Sequence, residues 1–97
     1  MKVKQLINDK GNAAANQFVI EDGDRTVFQS YNTIIAEIDE DGTLCLDRKA
    51  LDYSRTTSKH LYIFLRDYTV HQVKNRKDVE RVLMNEKDVL VGDLNNA

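Results

Sequence analysis

Proline is absent from the 97 residues, cysteine occurs once and glycine only four times. Without proline there is no rigid linker to mark a domain boundary. A chain of this length suffices for one compact domain and is too short for two, so residues 1–97 are read as a single domain. The lone cysteine, Cys45, excludes an internal disulfide and fits a reducing cytoplasm. No apolar run approaches the ~20 residues of a membrane span. The start, Met1-Lys2-Val3-Lys4-Gln5-Leu6, has lysines but no apolar stretch behind them, so neither a secretory signal nor a membrane partner is expected. Equally absent are Cys-x-x-Cys and His-x-x-x-His spacings, a glycine-rich phosphate loop, triad spacing and a hydrolase elbow. No metal and no cofactor is expected, and enzymatic activity has no support. The acidic turns Glu21-Asp22-Gly23-Asp24 and Asp39-Glu40-Asp41-Gly42 lack the ligand spacing of a calcium loop and read as hairpin ends.

What is present is charge, unevenly placed. Charged residues make up 31% and hydrophobic ones 41%, a soluble, globular balance. The net charge of -2 hides a division along the chain. Residues 1–47 carry four Lys/Arg against nine Asp/Glu, residues 48–77 carry eight against two, and residues 78–97 carry two against five. The segment nets are therefore -5, +6 and -3. A basic middle lies between two acidic ends.

The first fifteen residues have no dominant period. Val3, Gln5 and Ile7 alternate, while Leu6 and Ile7 could close a helical turn. Asn8-Asp9-Lys10-Gly11-Asn12 is a turn by composition, and Ala13-Ala14-Ala15 has no evident role. Strand character begins at Gln17-Phe18-Val19-Ile20. The Asp22-Gly23 turn leads into Arg25–Tyr31, and Asn32–Ile38 is either a third strand or a bent continuation of the second. Alternation puts Ile34, Ala36 and Ile38 on one face and Thr33, Ile35 and Glu37 on the other. After the Asp41-Gly42 turn, Thr43–Asp47 pairs back with Leu44 and Leu46 inward, leaving Cys45 on the far face.

Helical spacing then takes over. Leu61, Phe64, Leu65 and Tyr68 fall at i, i+3, i+4 and i+7, with Thr57 four residues earlier, which predicts a helix over about 54–68. Ser54, Thr56 or Asp52 can cap it. Thr69–Val73 reads as a short strand or a loop. Asn75 caps a second helix over about 76–85, with Val79, Val82 and Leu83 as its stripe and Asp78 suited to its dipole. Lys87–Leu94 reads as a last strand or a further helical turn, and Asn95-Asn96-Ala97 as a frayed end. The expected architecture is α+β: an antiparallel meander of three to five strands, covered by the central helix, with a second helix near the C-terminus.

The candidate site is the hydroxyl-rich, basic helix start. Tyr53, Arg55, Thr56, Thr57, Lys59 and His60, with Arg48 and Lys49 upstream, gather hydroxyls and cations where a helix exposes free amides. Dipole and donors there both favour a phosphate or carboxylate. Capping alone also explains Ser and Thr at this place. Tyr31, Tyr53, Tyr62 and Tyr68 raise the alternative of base stacking, although Tyr68 lies on the core stripe.

Two stretches carry a resemblance. Gln29-Ser30-Tyr31-Asn32-Thr33-Ile34-Ile35-Ala36, followed by Asp52-Tyr53-Ser54-Arg55-Thr56-Thr57-Ser58-Lys59-His60-Leu61 and Phe64-Leu65, resembles a group of small uncharacterised proteins encoded by bacteriophages and other mobile elements. The likeness spans about residues 17–65 and pairs a Ser-Tyr-x-Thr-x-Ile-Ala strand with a Tyr-Ser-x-Thr-Thr-x-x-His helix start. It implies a bacterial host cytoplasm and brings no activity and no catalytic or binding residue. The leading expectation is a non-enzymatic protein-interaction module, with a host or phage protein or a second copy as partner. The alternative is nucleic-acid or phosphate-ligand binding through the basic residues of 48–66.

Overall fold

A computed structural model describes residues 1–95. Five strands, β1 (Lys2–Ile7), β2 (Ala13–Asp22), β3 (Arg25–Ser30), β4 (Thr33–Ile38) and β5 (Leu44–Asp47), form an antiparallel meander. A single 3-10 turn, Ala50–Asp52, leads to helix α1 (Arg55–Tyr68), then α2 (Arg76–Asn85) and a sixth strand, β6 (Val89–Gly92). β6 returns beside β5 in parallel, which is possible because the two helices provide the crossover. The sheet order follows the chain order, β1-β2-β3-β4-β5-β6. The α+β class expected from the sequence is the one observed, and the meander gains a parallel sixth strand.

Each turn has a local cause. Gly23 and Gly42 sit at φ +63° and +83°, the left-handed region an Asp-Gly hairpin demands. Between β3 and β4 the chain reverses through Tyr31-Asn32, with Tyr31 itself left-handed at φ +54° and its N–H donating to the Asn16 carbonyl at 2.7 Å. Residues 25–38 are thus two strands. A bulge also lies between them: Phe28 pairs with Ala36 and Gln29 with Ile34, leaving Ile35 extra. The simple alternation expected for 33–38 fails for that reason, because the bulge lets both Ile35 and Ala36 turn inward to full burial. The alanines from Ala13 open β2, and Ala14 is buried.

α1 lies on the sheet face that carries Val19, Phe28 and Leu46. Leu61, Phe64 and Leu65 are buried, and the Phe64 ring stacks between Phe28 (5.3 Å) and Tyr68 (5.0 Å). Such aromatic pairs add about 0.5–1.5 kcal/mol to the burial of their area. Ile63, off the expected stripe, is also buried, because α1 is flanked by the connector that returns from Tyr68 to Asn75 and contributes the buried Val73. That connector, expected as strand or loop, is irregular. On the opposite face, Phe18, Ile20 and Ile34 are half-buried and Val3 and Leu90 are more than half exposed.

The C-terminal segment docks rather than frays as far as it is described. Asn95 clasps the Ile34 backbone: its Oδ1 accepts from the Ile34 N–H (2.7 Å) and its Nδ2 donates to the Ile34 carbonyl (2.9 Å). This corrects the expectation of a frayed Asn95. Asn96 and Ala97 lie outside the described residues.

Candidate anion-binding cleft

The helix start is built from two sets of side chains with opposite fates. Ser54 is the N-cap of α1, and its Oγ accepts the Thr57 N–H at 3.2 Å. The Thr57 hydroxyl is buried and lies 3.1 Å from Ser30 Oγ, at the end of β3, and 3.3 Å from Ser54 Oγ. The two halves of the sequence pattern therefore meet, Ser30 from the strand and Ser54 and Thr57 from the helix start. Gln17, paired with Ser30 in the register, is buried beside them, and its amide has no partner among the described residues.

Asp47 forms a second buried anchor, at 3% exposure. Its carboxylate accepts from the Tyr53 hydroxyl (2.6 Å), the Leu94 N–H (3.0 Å) and the Lys49 N–H (3.3 Å). Burial alone would raise its pKa. The hydrogen bonds outweigh burial and hold it below the ordinary carboxylate value. Tyr53 responds in the other direction: burial and then the adjoining Asp47 carboxylate push its hydroxyl well above its usual range. Tyr53 thus keeps its proton and serves as a donor.

The remaining candidates face outward. Arg48, Lys49, Arg55, Thr56 and Lys59 are exposed. His60 is half-buried, and its Nδ1 lies 2.7 Å from the Thr56 carbonyl, an acceptor only, so Nδ1 carries the proton. Of the eight candidates, Thr57 is inside the fold and Tyr53 is tied to Asp47. Arg55 and Lys59 reach a common cleft with Tyr53.

That cleft, about 650 Å³, lies where α1 and α2 begin and is lined by Tyr53, Arg55, Ser58, Lys59, Tyr62, Lys74 and Arg76. Among the described residues no carboxylate lines it. Arg55, Lys59 and Lys74 form no ion pair among the described residues, whereas Arg76 approaches Asp52 (3.8 Å) and Glu80 (3.1 Å). Both helices present their N-terminal ends here, with Asn75 Oδ1 capping α2 through the Asp78 N–H at 2.9 Å. Their dipoles add to the positive field. Lys74 and Arg76 were missing from the candidates read in the sequence. The signal for them was the charge division, since both lie inside the basic segment 48–77.

Two further clefts adjoin. One, about 320 Å³, shares Lys59, Tyr62 and Lys74 and continues to Arg66, which pairs with Asp9 at 2.8 Å. The other, about 400 Å³, shares Tyr53 and is of mixed charge, with Arg48 and Lys49 facing Asp47 and Asp93. The acidic turns gather elsewhere: Asp22, Asp24, Asp39 and Glu40 line one hollow where the β2–β3 and β4–β5 turns meet. Among the described residues no group of three His, Cys, Asp or Glu side chains could hold a metal ion. No described helix is long and apolar enough to cross a membrane.

No curated protein and no solved structure matches the chain. A family model does, over residues 1–81, which take in the meander, α1 and the first six residues of α2 and stop short of β6. The chain belongs to this family of unknown function, DUF8033.

Proposed function

We propose that the chain is a non-enzymatic interaction module of a phage or mobile element, acting in the bacterial cytoplasm. Its working surface is the cleft at the helix starts and its partner is anionic. The observation that carries this reading is the set of cations Arg55, Lys59 and Lys74, unpaired among the described residues, converging on a concavity that no described acidic residue lines, beside two helix N-termini.

The overall charge of -2 does not oppose it. The acidic turns sit at the far end of strands such as the six-residue β3, which extends roughly 17 Å at the usual rise. Exposed charges are screened over about 8 Å at physiological ionic strength. The cleft therefore presents its own field to an approaching molecule. A protein partner, from host or phage or a second copy of this chain, meets the requirement if it offers an acidic surface. The acidic hollow at the turn end is one such surface.

Chromatography on immobilised heparin tests the reading. The wild type is expected to be retained at low salt and released as salt rises, and the Arg55→Glu/Lys59→Glu variant to flow through. Wild-type flow-through at low salt sinks the proposal.

A further inference from the structure

We infer that the cleft between the starts of α1 and α2 binds single-stranded nucleic acid, a narrowing that rests on the anionic-docking reading above. The first reason is continuity. The central cleft shares Tyr53 with the cleft on one side and Lys59, Tyr62 and Lys74 with the cleft on the other. A compact anion would need one hollow. The hollows joined through Lys59, Tyr62 and Lys74 suit an extended chain that repeats its charge, whereas the cleft beyond Tyr53 carries Asp47 and Asp93 and lies off its path.

The second reason is the placement of the aromatic rings. A half-buried tyrosine stands at each junction, Tyr53 at one and Tyr62 at the other, with Arg55, Lys59 and Lys74 around them. Cations that follow a phosphate backbone beside rings that receive unstacked bases are the two elements of single-strand recognition. Both rings pack against the core and keep half-exposed surface at the cleft, whereas an acidic peptide would use only the cations. Duplex DNA is disfavoured by shape. The cationic side chains line hollows of about 320 and 650 Å³ rather than a ridge that could enter a groove. Hollows of this size take a splayed-out base.

The test is fluorescence anisotropy on the intact chain with three labelled probes: an oligothymidylate of roughly fifteen nucleotides, a duplex of equal length and a polyglutamate peptide. The strand is expected to bind best. With about four phosphates neutralised, a slope near -0.7 per contact predicts roughly fifty-fold weaker binding between 50 and 200 mM salt. Lys59→Glu/Lys74→Glu is expected to abolish binding. Tyr62→Leu keeps the apolar bulk and removes the ring; it is expected to weaken the strand at least ~5-fold while Tyr62→Phe does not, with circular dichroism confirming that each variant is folded. A duplex bound as well as the strand, or a folded Tyr62→Leu variant with unchanged affinity, overturns the inference. Polyglutamate binding without strand binding overturns it too, yet leaves the anionic-docking reading standing. No binding to any probe, together with flow-through on heparin, removes both.

Discussion

Within the two turns from Tyr53 to His60, neighbouring residues serve opposite ends. Thr57 is buried and ties the helix to Ser30, Ser54 caps the helix from an exposed position, and Tyr53 is bound to Asp47. Arg55 and Lys59, interleaved with them, point to a cleft in which nothing among the described residues neutralises them. The inner set satisfies buried hydrogen-bonding groups, whose loss is costly whatever the protein does. The outer set concentrates like charge, which contributes nothing to folding and is tolerated because water screens it. Type of residue does not separate the sets, since hydroxyls occur in both. Helical phase and the reach of β3 and β5 separate them.

The comparison can be broken from its inner side first. Asp47→Ala removes one acceptor from three donors, and hydrogen bonds to a charged group contribute about 1.5–3 kcal/mol each net of water, without adding fully where they share one carboxylate. A loss of roughly 3 kcal/mol in chemical denaturation is expected. The pH dependence has a definite sign. The carboxylate's pKa is lower folded than unfolded, so its contribution is complete above about 4, the unfolded value, and disappears as pH falls through the folded one. Asp47→Asn should flatten that part of the stability profile. An unchanged acid limb for Asp47→Asn would falsify the assignment.

Thr57→Val comes next. It preserves shape while stranding the buried Ser30 hydroxyl, at a cost of about 1–2 kcal/mol, with retention on heparin unaltered. A variant of normal stability would mean that water replaces the lost partner. The smallest stability effect belongs to the outer side: Arg55→Glu/Lys59→Glu should change folding free energy by less than about 0.5 kcal/mol while removing anion binding. Loss of stability and binding together would erase the distinction between the two sets.

The sequence already contained much of this. Both helices were legible because their stripes are long and their caps, Ser54 and Asn75, are chemically plain. The hairpins were legible at Asp22-Gly23 and Asp41-Gly42 for a similar reason. Ile35 was not, because a bulge changes facing without changing composition. The parallel placement of β6 was hidden as well, since Val89-Leu90-Val91 reads the same in either direction. At the site, the cations could be read but not their grouping: Lys74 and Arg76 join Arg55 only because the connector runs back along α1. Asp47 gave no sign of burial, since its hydrogen-bonding partners include the Leu94 amide, far along the chain.

The parallel β6 also bears on the order in which the chain can fold. Every pairing from β1 to β5 joins neighbouring strands, and such local contacts form early. The outer edge of β5 has no such neighbour: its partner emerges only after both helices have been made. During synthesis that row of unpaired backbone groups stays open to any extended chain nearby, a recognised hazard of uncovered strand edges. Closure by β6 is then the late event, and its amides are expected to be among the first of the sheet to exchange hydrogen with solvent.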